Sequence, residues 1–246
     1  MPIFNMVGGD GFKSLGTMWT KRSALPYQFW YGSAVVLNGE IHILGTSNTS
    51  SDGTGPTNHY KWNGSTWTSV STLPYNFVHG SAVVYNNEIH ILGSDNSKKH
   101  YKWNGSSWTS VSTLPYTFFR GSAVVLNNEI HILGGTNFGT NHYKWDGSSW
   151  KSVSTTPYGY EYGSAVVFNN EIHILGGYAA DGYGTKFHYK WNGSKWTKDL
   201  NLPYGFAGSS AVVLNVGIHI LGSDYYNNGY KYATNHYSYD EHYIKA

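Results

Sequence analysis

The chain has 246 residues, a formal net charge of +2 and no cysteine; 17% of its residues are aromatic and only 12% are charged. Without cysteine there are no disulfides, thiolate metal sites or cysteine nucleophiles. The near-neutral balance, with no Lys/Arg run longer than Lys21-Arg22 or Lys98-Lys99, argues against a nucleic-acid partner. Many aromatics and few charges favour short packed strands over a solvated helical or disordered chain.

Residues 1–14 form a Gly-rich extension with one small apolar group, Ile3, Phe4, Met6 and Val7. It reads as a flexible lead-in or as a docking segment for a partner. It lacks the basic n-region and apolar h-region of a Sec signal peptide. No apolar run in the chain approaches the roughly 20 residues of a membrane helix, so membrane insertion is not expected.

Residues 15–246 read as one domain built from five repeats. Pro26, Pro74, Pro115, Pro157 and Pro203 mark the links and lie 48, 41, 42 and 46 residues apart. A period of about 40 to 50 residues is the mark of a propeller or array. In the third repeat, four strands are predicted: Gly121 to Asn127, Glu129 to Gly134, His142 to Trp145, and Trp150 to Ser154. Asn-Asn or Asn-Gly joins the first pair and Asn-Gly-Ser or Asp-Gly-Ser the second, as tight hairpins require. The expected fold is therefore all-β: a five-bladed β-propeller of four-stranded antiparallel blades, at about 32–71, 80–112, 121–154, 163–200 and 209–240.

Trp19 precedes Pro26 by seven residues, as Trp67, Trp108, Trp150 and Trp196 precede their prolines. Thr17 to Ser23 thus reads as the last strand of a blade whose other strands lie at the far end of the chain. An N-terminal strand completing the fifth blade removes open sheet edges. Ile244, in the same register, is the competing closure.

The run GSAVVLNNEIHILGG (Gly121 to Gly135), followed by a Tyr-rich strand, Trp150 and Pro157, resembles a Kelch motif. The double glycine appears only at Gly134-Gly135 and Gly176-Gly177, and an aromatic (Phe29, Phe77, Phe118, Tyr160, Phe206) replaces the usual post-proline arginine. The opening FNMVGG with its near-identical repeats also looks like tail-associated proteins of phages and prophages from gut Firmicutes. This second resemblance implies a virion-associated protein, extracellular after lysis and otherwise cytoplasmic, whose residues 1–14 contact other tail proteins.

Ten histidines repeat in register: His42, His90, His131, His173 and His219 in the second strand, and His59, His100, His142, His188 and His236 near the third. Rotation about a propeller axis keeps equivalent residues too far apart for the roughly 2 Å bonds of a shared zinc. A structural role is expected, with no metal and no cofactor; a pair within one blade stays open. Glu40, Glu88, Glu129 and Glu171 open each second strand and read as turn supports. The unique acids are Asp52, Asp95, Glu161, Asp181 and Asp224, without a paired catalytic motif. Galactose-oxidase-like chemistry, known in some Kelch-type propellers, needs a cysteine cross-link and is excluded. Asn63, Asn104 and Asn192 match a glycosylation sequon but sit where tight turns are predicted.

The repeats differ from one another mainly in the loops between second and third strands and in the links after each Pro-Tyr, which antiparallel strands place on one face. That face carries the candidate ligand-binding residues Trp30, Tyr31, His79, Phe119, Arg120, Glu161, Tyr162, Tyr178, Tyr183, Tyr225 and Tyr226. Aromatic faces beside polar groups suit sugar rings, and rigid aromatics suit protein ligands as well. The expected function is non-enzymatic binding of a bacterial or host surface glycan. A protein receptor or protein–protein scaffold is the alternative, and a glycan-cleaving enzyme the second.

Overall fold

The computed structural model describes residues 22–27, 29, 31–45, 57–94, 97–178, 184–214, 217–226 and 229–240, without the side chains of 223–226, 229–235 and 240. The described residues form five antiparallel sheets and no helix. Blade 1 comprises β1 (Ser33–Leu37), β2 (Glu40–Leu44), β3 (Asn58–Trp62) and β4 (Trp67–Thr72). Blade 2 comprises β5 (Ser81–Tyr85), β6 (Glu88–Ser94), β7 (Ser97–Trp103) and β8 (Trp108–Thr113). Blade 3 follows with β9 (Ser122–Leu126), β10 (Glu129–Leu133), β11 (Asn141–Trp145) and β12 (Trp150–Thr155). Blade 4 has β13 (Ser164–Phe168), β14 (Glu171–Leu175), β15 (His188–Trp191) and β16 (Trp196–Lys198). Blade 5 has β17 (Ser210–Leu214), β18 (Gly217–Tyr226) and β19 (Gly229–Asp240). The protein is a five-bladed β-propeller.

Sequence order is spatial order within every blade. The first strands β1, β5, β9, β13 and β17 are successive neighbours from blade to blade and form the inner ring. Turn chemistry fixes the registers. Asn86-Asn87, Asn127-Asn128 and Asn169-Asn170 all have positive φ, the conformation of a two-residue hairpin. In the outer turn Asn63 Oδ1 accepts from the N–H groups of Ser65 and Thr66, both at 3.0 Å, while Gly64 supplies a φ of 99°. The sequon asparagines are thus turn residues.

Alternation along the strands gives each blade two apolar faces. Leu37 and Leu44 of blade 1 pack on Ile89, Ile91 and Trp103 of blade 2, with Leu73, Tyr75 and Phe77 of the link wedged between. Corresponding sets fill the next three seams. Among the described residues the core is thus divided into four layers between successive blades, as a radial repeat places it.

Two expectations are corrected here. Glu40, Glu88 and Glu129 do not brace the turns they follow; each accepts from the lysine of the third strand, Lys61, Lys102 or Lys144, at 2.9 Å. The loop expected between the second and third strands of blade 5 is instead a hairpin. Its Tyr-rich arms are β-prone, and Tyr225 pairs with Tyr230 beyond the sheet.

The closing strand expected at Thr17 to Ser23 lies outside the described residues as far as Lys21; Arg22 and Ser23 are exposed and carry no strand. Ile244 is likewise outside them. At this end of the ring the apolar faces are open: Ile41 is 41% and Leu214 57% exposed, whereas Ile89 is 0% and Leu126 4%. No helix among the described residues is long and apolar enough to cross a membrane.

Candidate functional site

Tyr31, His79, Arg120, Tyr162 and Gly208 hold the same place in the five links, two residues ahead of β1, β5, β9, β13 and β17. All five are left-handed, with φ of 57°, 57°, 61°, 56° and 64°. Each N–H donates to the carbonyl of its counterpart in the link before: His79 to Tyr31 at 2.9 Å, Arg120 to His79 at 2.8 Å, Tyr162 to Arg120 at 2.7 Å and Gly208 to Tyr162 at 2.8 Å. One residue per blade, bonded in blade order, traces an arc around the propeller axis. A second arc lies beside it, where Ser33, Ser81 and Ser164 hydroxyls accept from the N–H of Ala82, Ala123 and Ala211 in the next blade at 3.0–3.1 Å.

The arc delivers its side chains to one cluster at the end of the axis. The Tyr31 and His79 rings are 4.2 Å apart between centroids, His79 and Tyr162 5.6 Å, and Tyr31 and Tyr162 6.4 Å. The Tyr162 hydroxyl is 3.4 Å from His79 Nε2. The Arg120 guanidinium lies 5.2 Å over the Tyr162 ring and 5.0 Å over Phe119, a cation–π position on both. Tyr178 adds an edge contact to Tyr162 at 5.6 Å. Tyr31 is half-exposed and presents the open surface of the cluster. At the fifth place Gly208 leaves a notch, and a Cβ there would meet nothing within 4 Å.

Glu161 underlies this platform. It is 4% exposed, with Oε2 3.6 Å from Arg120 Nη1 and Oε1 accepting the Phe138 N–H at 3.3 Å. Its backbone pairs with Tyr178 in both directions. Phe138 ends a run of five left-handed residues, from Gly134 to Phe138, closed by a bond from Gly139 N–H to Gly135 O at 2.9 Å. Gly135 and Gly177 permit this tuck, because a Cβ on either would press on the backbone of Phe119 or Glu161. The double glycine thus occurs in the two blades whose upper loops reach Glu161.

Of the candidate residues, Tyr31, His79, Phe119, Arg120, Glu161, Tyr162 and Tyr178 come together. Trp30 and Tyr183 lie outside the described residues. Tyr225 and Tyr226 sit on the extended arm of β18, where only backbone is described. Sequence reasoning missed Phe138 and Gly208. The double glycine ahead of Phe138 was the available signal for the first, and the break in side-chain size at the fifth link for the second.

The repeated histidines stand away from this cluster, in the seams. They pair within each blade, Nδ1 of the second-strand residue against Nε2 of the third-strand one: His42 with His59, His90 with His100 and His173 with His188 at 2.8 Å, and His131 with His142 at 2.9 Å. In these four pairs desolvation lowers both members, His59, His100 and His142 to about 3, His90, His131 and His173 to about 4, and His42 and His188 in the same direction. Neutral imidazoles sharing a hydrogen bond have a packing role. Among the described residues no three His, Cys, Asp or Glu side chains gather as a metal site would need.

No protein-family model matches the chain, and no curated protein matches it. Among solved structures it is similar to that of YjhT, with a TM-score of 0.79 and 16% identity over 91% of this chain and 85% of that one. At that identity the likeness is one of architecture: a β-propeller.

Proposed function

We propose that this propeller is a non-enzymatic binding module whose axial platform recognises a bacterial or host cell-surface glycan. One observation carries the reading. A non-glycine residue in left-handed conformation costs on the order of 1–2 kcal/mol, and Gly208 meets the same backbone requirement without that cost. Four of the five equivalent places nonetheless hold Tyr, His, Arg and Tyr, all aimed into one cluster. Strain retained where a cheaper residue would serve points to function.

The chemistry of the cluster suits a sugar. The electron-rich face of a half-exposed tyrosine attracts the C–H face of a pyranose ring. Arg120, His79 and the Tyr162 hydroxyl offer hydrogen bonds to its edge. The Gly208 notch leaves room for a chain entering from one side. The resemblance of the repeats to phage tail proteins supports a receptor-binding role, in which several copies on one particle multiply a weak single-site affinity. The single axial cluster, in place of five equivalent pockets, also favours a second reading as a docking face for one folded protein partner.

The test is an array of bacterial polysaccharides and host glycans probed with wild type beside Tyr31→Ala. Binding to a narrow glycan set, lost in a variant that melts like wild type, is the expected result. No binding across a broad array removes the glycan reading, and a pull-down then tests the protein partner. Release of reducing ends from a bound polysaccharide would make the protein an enzyme instead.

A further inference from the structure

In the seam between blades 1 and 2 a continuous polar chain crosses the apolar layer. His42 contacts His59, His59 Nδ1 lies 3.1 Å from Ser71 Oγ, and that hydroxyl accepts the indole N–H of Trp108 from the next blade at 3.0 Å. The His59 ring stands edge-on to Trp103, also of the next blade, 5.3 Å away. The second seam repeats it with His90, His100, Ser112, Trp150 and Trp145, and the third with His131, His142, Ser154, Trp196 and Trp191. The third-strand histidine is fully buried in each.

The fourth seam departs from this pattern. Leu200 takes the serine's place in sequence and points to solvent, while Asp199 beside it enters the seam. The Asp199 carboxylate accepts from the Tyr239 hydroxyl of blade 5 at 3.1 Å and lies 3.4 Å from Lys190 Nζ. Tyr239 stands edge-on to His188 at 5.1 Å, where tryptophan stands in the other seams.

We propose that the propeller has acid-operated seams: protonation of the histidine pairs loosens the first three, while Asp199 makes the fourth the most resistant. In the first three, the charged groups near each pair are one glutamate and one lysine of the same blade, already joined to each other: Glu40 with Lys61, Glu88 with Lys102 and Glu129 with Lys144. Among the described residues, the outer strand and the next blade add a serine hydroxyl and two indoles, and in blade 3 also Lys151, which Asp146 already holds at 2.6 Å. A buried imidazolium there has no free counter-ion. In the fourth seam Glu171 and Lys190 occupy the corresponding places at 3.6 Å, and Asp199 adds a carboxylate that attracts a proton to His188.

The direction follows from linkage. Each paired histidine is held below its ordinary value of 6.5, chiefly by desolvation. An opened seam therefore binds more protons than a closed one between about pH 6.5 and 3. Closure is at full strength above 6.5 and weakens as pH falls through that window.

Hydrogen exchange of the whole protein at pH 7 and pH 4.5, corrected for intrinsic rates, reads the seams separately. Protection in β7, β8, β11 and β12 is expected to fall at least tenfold at pH 4.5, while the paired stretch of β18 and β19, which faces the fourth seam and none of the first three, falls less than threefold. Uniform protection, or its loss in all four seams together, would overturn the proposal. Asp199→Asn supplies the second arm and leaves the first three seams untouched. In that variant the fourth seam should lose protection in step with the others; continued protection at pH 4.5 would also overturn it.

Discussion

The Tyr75 hydroxyl donates to the carbonyl of Gly93, 2.9 Å away and eighteen residues further along the chain. The same bond joins Tyr27 to Gly45 at 3.1 Å, Tyr116 to Gly134 at 3.0 Å and Tyr158 to Gly176 at 2.6 Å. It fastens each link to the end of the second strand of the blade it enters. Gly93 has a φ of 67°, and a Cβ there would overlap the Phe118 carbonyl oxygen, which accepts the N–H of Ser94. Tyr75→Phe should lower the unfolding free energy by about 1 kcal/mol, the usual net worth of one hydrogen bond. Gly93→Ala should cost about 2–4 kcal/mol, because backbone strain adds to the overlap. Urea unfolding measures both, and a wild-type midpoint for Gly93→Ala would contradict the close approach.

The seam chains also set histidine tautomers. Each indole N–H occupies a lone pair of its serine oxygen, leaving the serine proton for the imidazole Nδ1. The third-strand histidine then carries its proton on Nε2 and donates to Nδ1 of its partner, whose proton is on Nε2 as well. His90 Nε2 is buried without a hydrogen-bond partner, and the Tyr85 ring lies beside it, 5.3 Å between centroids. An N–H against an aromatic face is favourable where a lone pair is not. Nitrogen-15 NMR at pH 7 should find Nε2–H tautomers for both members of the first three pairs. Nδ1–H signals from them would reverse the direction of the chain.

Glu161 acts on the platform from below. Glu161→Ala removes the acceptor that holds the left-handed turn at Phe138 and the partner of Arg120, and should lower the unfolding free energy by about 1–3 kcal/mol. Glu161→Gln keeps an acceptor for the Phe138 N–H and should lose less than half as much. Thermal melts rank the two. Equal losses would show that the charge on Arg120, not the turn, is what Glu161 serves.

The sequence states a ring fold more plainly than it states a site. Alternating Ser-Ala-Val-Val and Glu-Ile-His-Ile-Leu runs between Asn-rich turns place β9 and β10 within a residue of their expected ends, because each blade is specified by local pattern and copied. The gathering of Tyr31, His79, Arg120 and Tyr162 is not local. It depends on four links meeting at the axis in left-handed conformation, and nothing in Trp-Tyr-Gly or Phe-Arg-Gly announces a positive φ at a bulky residue. The histidine pairs were hidden in another way. They follow from the antiparallel register that sets Leu44 opposite His59 and so puts His42 diagonally beside it. The Asp199 substitution was visible only as an imperfect repeat.

The remaining question is how the two ends of the ring meet. Val212, Leu214 and Leu221 of blade 5 are 45%, 57% and 39% exposed, yet their counterparts Val83, Tyr85 and Leu92 are 7%, 5% and 0%. On blade 1, Ile41 and Leu25 are likewise exposed where Ile89 and Leu73 are buried. Apolar faces of this size favour a cover, and β19 has an edge that no described strand pairs. Trp19 stands in the sequence register of Trp67, which makes the N-terminal segment the first candidate for that cover. Deleting residues 1–23 should then lower the melting temperature by several degrees, since burying even one large side chain contributes about 1.5–3 kcal/mol. It should also raise dye binding to exposed apolar surface. Unchanged melting would mean that the N-terminal segment is not the closing strand, and truncation after Asp240 would then test Ile244 in its place.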